Sequence, residues 1–265
     1  MSALVAAIVA ALALTTAPAA APAPAPSPPP TAAVVDYQLG GAYRPAADVG
    51  IVTRDRSEKP SPGRYSICYV NSFQTQPGTL RWWKNKHPEL LLRDAEGRLV
   101  RDPGWPDEVL LDIRTPARRK ALGDLNRRWF DQCHRKGFDA VEPDNLDSWT
   151  RSDHRLKKRH AIAFARRLVR EAHASGTAIG QKNTPQLSRL GLGFDFAVAE
   201  ECEVYQECGA YTRTYGTRLI EIEYTDNGRR AFARACAARA GRASILLRDR
   251  DVVPRGSRRY VSRSC

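Results

Sequence analysis

Short apolar runs and longer amphipathic segments alternate along most of this chain. Apolar runs of strand length begin near Val34, Val49, Tyr65, Phe138, Thr177, Phe194, Arg218 and Ala243. Between them lie helical patterns. Thr115-Pro116 is a strong helix start, with Thr as N-cap and Pro at the first helical position. From Ala117 a period of three to four puts Ala121, Leu122, Leu125, Trp129 and Cys133 on one face, and Gly137 stops the helix. His160 to Ala174 repeats the pattern with Ala161, Phe164, Leu168 and Ala172, with Gly176 beyond its end. Arg229 to Ala240 is a third helix, closed by Gly241. The stretch from Thr79 to Asp107, with Trp82-Trp83 and Gly104-Trp105-Pro106, shows no period. A loop of that length in a compact domain is usually functional.

Eight strands with helices between them predict an α/β protein, a single (β/α)8 barrel. A doubly wound open sheet is the rival. It wants a glycine-rich phosphate loop after the first strand, and Gly40-Gly41 alone is weak evidence for one. The 265 residues suit one large domain. Ala3 to Leu14 is an apolar run too short to span a bilayer comfortably, followed by small residues, so residues 1–20 are expected to be a signal peptide. No Lys or Arg precedes that run. Residues 21–32 are rich in Ala and Pro and predict an extended spacer, leaving 33–265 as the barrel. Six cysteines in an exported chain predict disulfides, and the absence of any Cys-x-x-Cys pair argues against zinc. The expectation is no metal and no cofactor.

The formal net charge of +13 suggests a polyanionic partner. The basic residues are spread over helices, among them Arg118, Arg127, Arg166 and Arg229, and that spread reads as solvated faces. The expectation is no nucleic acid and no membrane after leader cleavage, and the chain is expected to be a monomer.

The candidate chemistry sits at strand ends. Phe138 to Val141 drives into Glu142-Pro143-Asp144-Asn145, and Pro143, lacking an N–H, belongs where a strand leaves the sheet. In α/β barrels that rim gathers catalytic groups. A plain Pro-Asp-Asn turn is the bland reading. Phe194 to Ala199 likewise ends in Glu200-Glu201-Cys202. Two strand-end carboxylates in one barrel are what glycoside hydrolysis needs, one ionised and one protonated. Asp36, Asp112 and Glu223 also fall at or near strand ends. Tyr37, Tyr43, Trp149, Tyr205 and Tyr224 flank these positions, either to stack on sugars or simply to pack the rim. Lys182-Asn183 comes after another strand, to orient a hydroxyl or carboxylate or to cap a helix begun at Thr184-Pro185. No His follows a predicted strand and there is no Gly-x-Ser-x-Gly, which disfavours zinc hydrolases and serine esterases.

Several segments carry a family resemblance. They are Tyr37-Gln38-Leu39-Gly40-Gly41, Cys68-Tyr69-Val70-Asn71, Leu111-Asp112-Ile113-Arg114, Gly137 to Asn145, Lys182-Asn183, and Ala199-Glu200-Glu201-Cys202 with Tyr205 and Cys208. In this order they resemble glycoside hydrolase family 114, the endo-α-1,4-polygalactosaminidases. The resemblance implies a (β/α)8 barrel, a retaining mechanism, Asp144 as nucleophile and Glu200 as general acid/base. It implies a secreted enzyme acting on a galactosaminogalactan-like polymer. With the strand-end acids it nominates Asp36, Tyr37, Gln38, Tyr69, Asp112, Asn145, Lys182, Asn183, Tyr205 and Glu223 for substrate binding. The family usually has Asn-Glu-Gln-Cys where this chain has Ala199-Glu200-Glu201-Cys202, so Glu201 adds charge beside the proposed acid.

The expected disulfides are Cys68–Cys133, Cys202–Cys208 and Cys236–Cys265. The first joins a strand to the inward face of the helix before Gly137, the second flanks one short loop, and the third ties down the C-terminus. An acidic cleft is expected inside the basic exterior, built by Asp36, Asp112, Glu200, Glu201 and Glu223. Two alternatives stay open: a non-catalytic barrel binding anionic envelope polymers, and a glycosidase of this fold acting on another glycan.

Overall fold

The computed structural model describes residues 26–265. The expected signal peptide and the start of the spacer lie outside the described residues. The barrel has eight strands: β1 (Val34–Gln38), β2 (Val49–Asp55), β3 (Tyr65–Asn71), β4 (Ala140–Asp144), β5 (Ala178–Lys182), β6 (Phe196–Glu200), β7 (Leu219–Tyr224) and β8 (Ser244–Arg248). Each begins within two residues of its expected start. They pair in sequence order, all parallel. A short β9 (Ser262–Ser264) runs antiparallel along β8, and β1 packs back near β8, so the sheet is a nearly closed barrel. Alternation along each strand divides the apolar residues. Tyr37, Ile51, Ile67, Phe196, Ile222 and Leu246 fill the interior, while Val70, Val141, Ala197 and Ile245 pack outward beneath the helices.

The helices are α1 (Leu80–Lys86), α2 (Pro116–Lys136), α3 (Lys158–Ala174), α4 (Pro185–Ser188), α5 (Cys208–Tyr215) and α6 (Arg230–Arg239). Thr115 caps α2 by accepting the Arg118 N–H at 3.2 Å, and Gly137 ends it in the left-handed region at φ +96°. The barrel departs from the expected alternation at its start. The connections β1–β2 and β2–β3 carry no helix. They are shorter than the ~12 residues a helical crossover takes. The end of the chain covers the outer face of β1 instead. Tyr260 meets Tyr43 edge-on at 5.8 Å, and Gly40 leaves no room for a Cβ against the Val252 carbonyl. Arg248, fully buried, holds this seam. Its Nε donates to the Tyr37 carbonyl at 3.1 Å, Nη1 to Val261 O at 3.0 Å and Nη2 to Val253 O at 2.8 Å, and it pairs with Asp249.

The aperiodic stretch is folded. Antiparallel bridges Gln74↔Leu110, Leu91↔Leu111 and Arg101↔Val109 build a small sheet beside α1, around Trp83, Leu90 and Leu92. Asp112 fastens this insert to α2 through Arg114 at 2.6 Å and Arg118 at 3.0 Å.

All three expected disulfides are present, and no cysteine among the described residues is free. The longest, with a sequence separation of 65, restricts the unfolded chain by roughly 4 kcal/mol in the loop-entropy model. Behind β7, Glu221 pairs with Arg239 at 2.7 Å. Glu223 accepts the Glu203 N–H at 3.0 Å, and its other oxygen is buried without a partner. Burial, reinforced by Glu221, Glu201 and Glu203 and opposed by that N–H, pushes the Glu223 carboxyl up to about 7.

Two stability measurements check these features. Arg248→Met removes one donor from Asp249 and one from each of three carbonyls and should cost about 3–5 kcal/mol in urea unfolding. A loss under about 0.5 kcal/mol would mean the seam is held elsewhere. Glu223 binds its proton more tightly folded than unfolded. Its contribution is therefore complete below its unfolded pKa of about 4.3 and is lost as pH rises through about 7. Melting scans should show the parent losing more stability between pH 5 and pH 8 than Glu223→Gln does; parallel curves would contradict the assignment.

Candidate active site

Parity builds the site. Residues 35 and 37 of β1 face the interior, as do 140, 142 and 144 of β4, 178 and 182 of β5, 196, 198 and 200 of β6, and 222 and 224 of β7. At the C-terminal rim this alternation delivers Tyr37, Glu142, Asp144, Lys182, Glu200 and Tyr224 to one place. Strands β4, β5 and β6 are each followed by a residue in the left-handed region: Asn145 (φ +66°), Asn183 (φ +47°) and Glu201 (φ +60°). Asn tolerates that conformation; Glu does not readily. Glu201 is held there by its N–H bond to Ile222 O at 2.7 Å and by Arg250, which grips its carboxylate at 2.9 and 2.6 Å.

The centre of the site is the Lys182 ammonium, 2 % exposed. It lies 3.1 Å from Glu142 Oε1, 3.3 Å from Glu200 Oε2 and 3.6 Å from Asp144 Oδ1. It also donates to the Tyr37 hydroxyl at 2.9 Å, which in turn donates to Glu142 Oε1 at 2.5 Å. Burial works against the ammonium, but Asp144, Glu200 and Glu142 outweigh it and hold the Lys182 pKa well above the ordinary lysine range. Burial raises the Glu142 carboxyl, with Lys182 and the Tyr37 hydroxyl opposing. It also raises the Tyr37, Tyr69 and Tyr224 phenols, so these remain donors.

Asp144 accepts from the Tyr69 hydroxyl at 2.7 Å and from the Asn145 N–H at 2.7 Å. Glu200 accepts from Asn183 Nδ2 at 2.9 Å and from the Tyr224 hydroxyl at 2.5 Å. Asn183 Oδ1 in turn accepts the Glu200 N–H at 2.8 Å, so strand end and side chain lock each other. One ammonium touches both carboxylates, so their facing oxygens are no further apart than its 3.6 and 3.3 Å contacts laid end to end. That ceiling falls at the lower edge of the ~6.5–9.5 Å that inverting glycosidases need and admits the ~5–5.5 Å of retaining ones.

A cleft of about 680 Å³ opens over this centre. The insert supplies Asp102, Trp105 and Glu108 to its wall, and Arg151 and Arg250 stand on either side. Its acids, Asp102, Glu108, Asp144, Asp147, Glu200, Glu201 and Asp251, outnumber Arg151, Lys182 and Arg250. The cleft is acidic, as expected, but largely through other residues than those expected.

Among the nominated residues, Tyr37, Tyr69, Asn145, Lys182 and Asn183 join Asp144 and Glu200 in the cleft. Asp36, Gln38, Asp112, Tyr205 and Glu223 do not. Asp36 and Gln38 have the opposite parity to Tyr37 and face outward: Asp36 binds Tyr43 and Gln38, and Gln38 binds Arg54 at 2.9 Å. Glu223 is likewise out of phase with Tyr224 and lies behind β7. Asp112 is spent on Arg114 and Arg118. Tyr205, 63 % exposed, stands off the cleft. Glu201, expected to add negative charge beside Glu200, is neutralised by Arg250.

Not nominated for the site were Glu142 and Tyr224, the latter read only as an aromatic flanking it, together with Asp102, Glu108, Arg151 and Arg250. Parity with Asp144 and Ile222 marks the first two; the insert acids and the two arginines carry no local signal. Cys202, Cys208 and Glu221 cluster closely enough to suggest a metal site. The two sulfurs are consumed in a disulfide and Glu221 by Arg239, so this group is not a ligand set.

Solved structures share the fold. Aspergillus fumigatus Ega3, in complex with galactosamine, is 22% identical with a TM-score of 0.67, over 95% of this chain and 99% of that one. The glycoside hydrolase domain of PelA from Pseudomonas aeruginosa is 15% identical with a TM-score of 0.62, over 87% of this chain and 98% of that one. Among curated proteins, none matches this chain in sequence. The model of glycoside-hydrolase family GH114 matches residues 15–265. On that match, which takes in the barrel and its rim of carboxylates, the chain belongs to glycoside-hydrolase family GH114.

Proposed function

We propose that this protein is an exported endo-glycosidase that cleaves α-1,4-linked galactosamine-containing polysaccharide with retention of configuration. The observation that carries the reading is the single buried ammonium in contact with both Asp144 and Glu200. Asp144 attacks the anomeric carbon as a carboxylate while Glu200 gives its proton to the departing glycosidic oxygen. The glycosyl–Asp144 ester is then opened by water, whose proton returns to Glu200. In the first half-reaction Asp144 loses its negative charge as Glu200 gains one. Lys182, touching both, faces the same total charge before and after. No reorganisation of the site is required at the moment of transfer, the condition for effective electrostatic catalysis.

The substrate class rests on the family resemblance, on the galactosamine bound in the Ega3 structure, and on the acidic lining, which suits a polymer carrying free amines. A polyanion binder gains nothing from gathering acids at its mouth. Export is supported by the three disulfides and the apolar leader-like run.

Asp144→Asn and Glu200→Gln are near-isosteric. Each should lower turnover of deacetylated galactosaminogalactan by about 10²-fold or more while leaving the melting temperature within a few degrees of the parent's. Early NMR spectra of the digest should show the α-anomer as the first new reducing end. Near-parental activity in either variant, or the β-anomer appearing first, would refute the roles of Asp144 and Glu200.

A further inference from the structure

Almost every acid in the cleft already has a cation. Glu201 has Arg250, Asp102 and Asp147 share Arg151, and Asp251 has Arg259. Asp144 and Glu200 share Lys182. Glu108 is the exception. It is 7 % exposed, and no Lys, Arg or His among the described residues lies within ion-pairing distance of it. Its Oε2 accepts from Asn71 Nδ2 at 2.8 Å. Its Oε1 has no hydrogen-bond partner among the described residues, and the residue lines the cleft.

Position adds to this. Asn71 also accepts from Asn145 Nδ2 at 3.0 Å, so two amides link Glu108 to the strand end bearing Asp144. The charged groups facing Glu108 are Asp144 from β4, Asp102 from the insert, and Arg151 from the turn after β4. Arg151 is held by Asp102, by Asp147 at 2.8 Å and by Asn145 Oδ1 at 2.6 Å. A turn in which the Glu108 N–H bonds Trp105 O at 2.8 Å sets the exposed Trp105 ring at the rim beside it.

Resting on the reading of the site as a glycosidase centre, we infer that Glu108 receives the ammonium of a bound hexosamine and makes the cleft select free amines over N-acetylated ones. A mostly buried carboxylate without a counter-ion is costly. A substrate ammonium supplies the missing cation through a charge-assisted hydrogen bond. An acetamido group at the same place offers one neutral N–H and leaves the charge uncompensated, and a site built for a polar group rejects the analogue lacking it. In the free protein, burial raises the Glu108 carboxyl to about 7, with Asp144 and Asp102 adding to the rise and the Asn71 bond and Arg151 opposing it. The carboxylate is therefore present above about 7 and protonated below, so affinity for an ammonium weakens as pH falls through that value.

The test is calorimetric binding in a Glu200→Gln background, which holds oligomers without cleaving them. The probes are a deacetylated α-1,4-galactosamine oligomer and its N-acetylated counterpart. The background should prefer the free amine by roughly tenfold or more, about the worth of one charged hydrogen bond. Adding Glu108→Gln, which keeps the Asn71 bond, should abolish that preference and its decline below about pH 7. Glu108→Asp, which retracts the carboxylate, should diminish it, and this variant with the pH dependence decides the matter if the glutamine form does not fold. Preference surviving Glu108→Gln, equal weakening of both oligomers, or no preference at the outset overturns the inference. Binding preference through Glu108 in a protein whose unmodified form cleaves neither polymer refutes the proposed function and leaves this inference standing.

Discussion

The active centre depends on one buried cation. Lys182 brings its ammonium to the top of the barrel, where Glu142, Asp144 and Glu200 converge on it. Remove the positive charge and three carboxylates face one another in a site of low dielectric, where like charges repel strongly. Remove the carboxylates and the ammonium is buried without compensation. The pair proposed for the chemistry is held in reach by the same group. Tyr37 and, beneath it, the fully buried Glu142 complete the coordination.

The barrel supplies that convergence through alternation and through its ends. Strand parity sends one residue in two to the interior, and the left-handed residues at 145, 183 and 201 turn the chain away sharply, so that the last inward side chain stands at the rim. The cost of a left-handed glutamate is offset by Arg250, which also lies over the Tyr224 ring at 4.1 Å and so supports the phenol that positions Glu200. On the opposite side of the barrel the first two connections lack helices, and the chain's end does their work. Arg248 ties β8 to the β1 carbonyl of Tyr37, the residue that reaches Lys182. Stability at the seam and geometry at the site therefore share a strand.

Strand positions, the three long helices, the disulfide pairs and the two rim carboxylates were legible in the sequence because each rests on local periodicity or spacing. Asp36, Gln38 and Glu223 went astray for a physical reason. Period two places residues on alternate faces but does not say which face is inside when both are buried, and Asp36 and Glu223 are as buried as Tyr37. The apolar neighbours Tyr37 and Tyr224 turned out to mark the inner face. Asp112 shows a second limit: an acid after an apolar run is as well explained by two arginines, Arg114 just before α2 and Arg118 in its first turn. Glu108 and Asp102 were invisible because the insert that carries them has no period, and its fold follows from long-range bridges such as Arg101↔Val109.

The most direct test of a shared counter-ion at the centre is the titration of Lys182 itself. Lysine side chains labelled at Cε can be followed by NMR, with Lys182→Arg identifying the resonance. A shared counter-ion requires that Lys182 stay protonated well past the ordinary lysine value of about 10.4. A Lys182 that loses its proton at or below that value would show that burial outweighs the three carboxylates and that the ammonium is not their shared counter-ion.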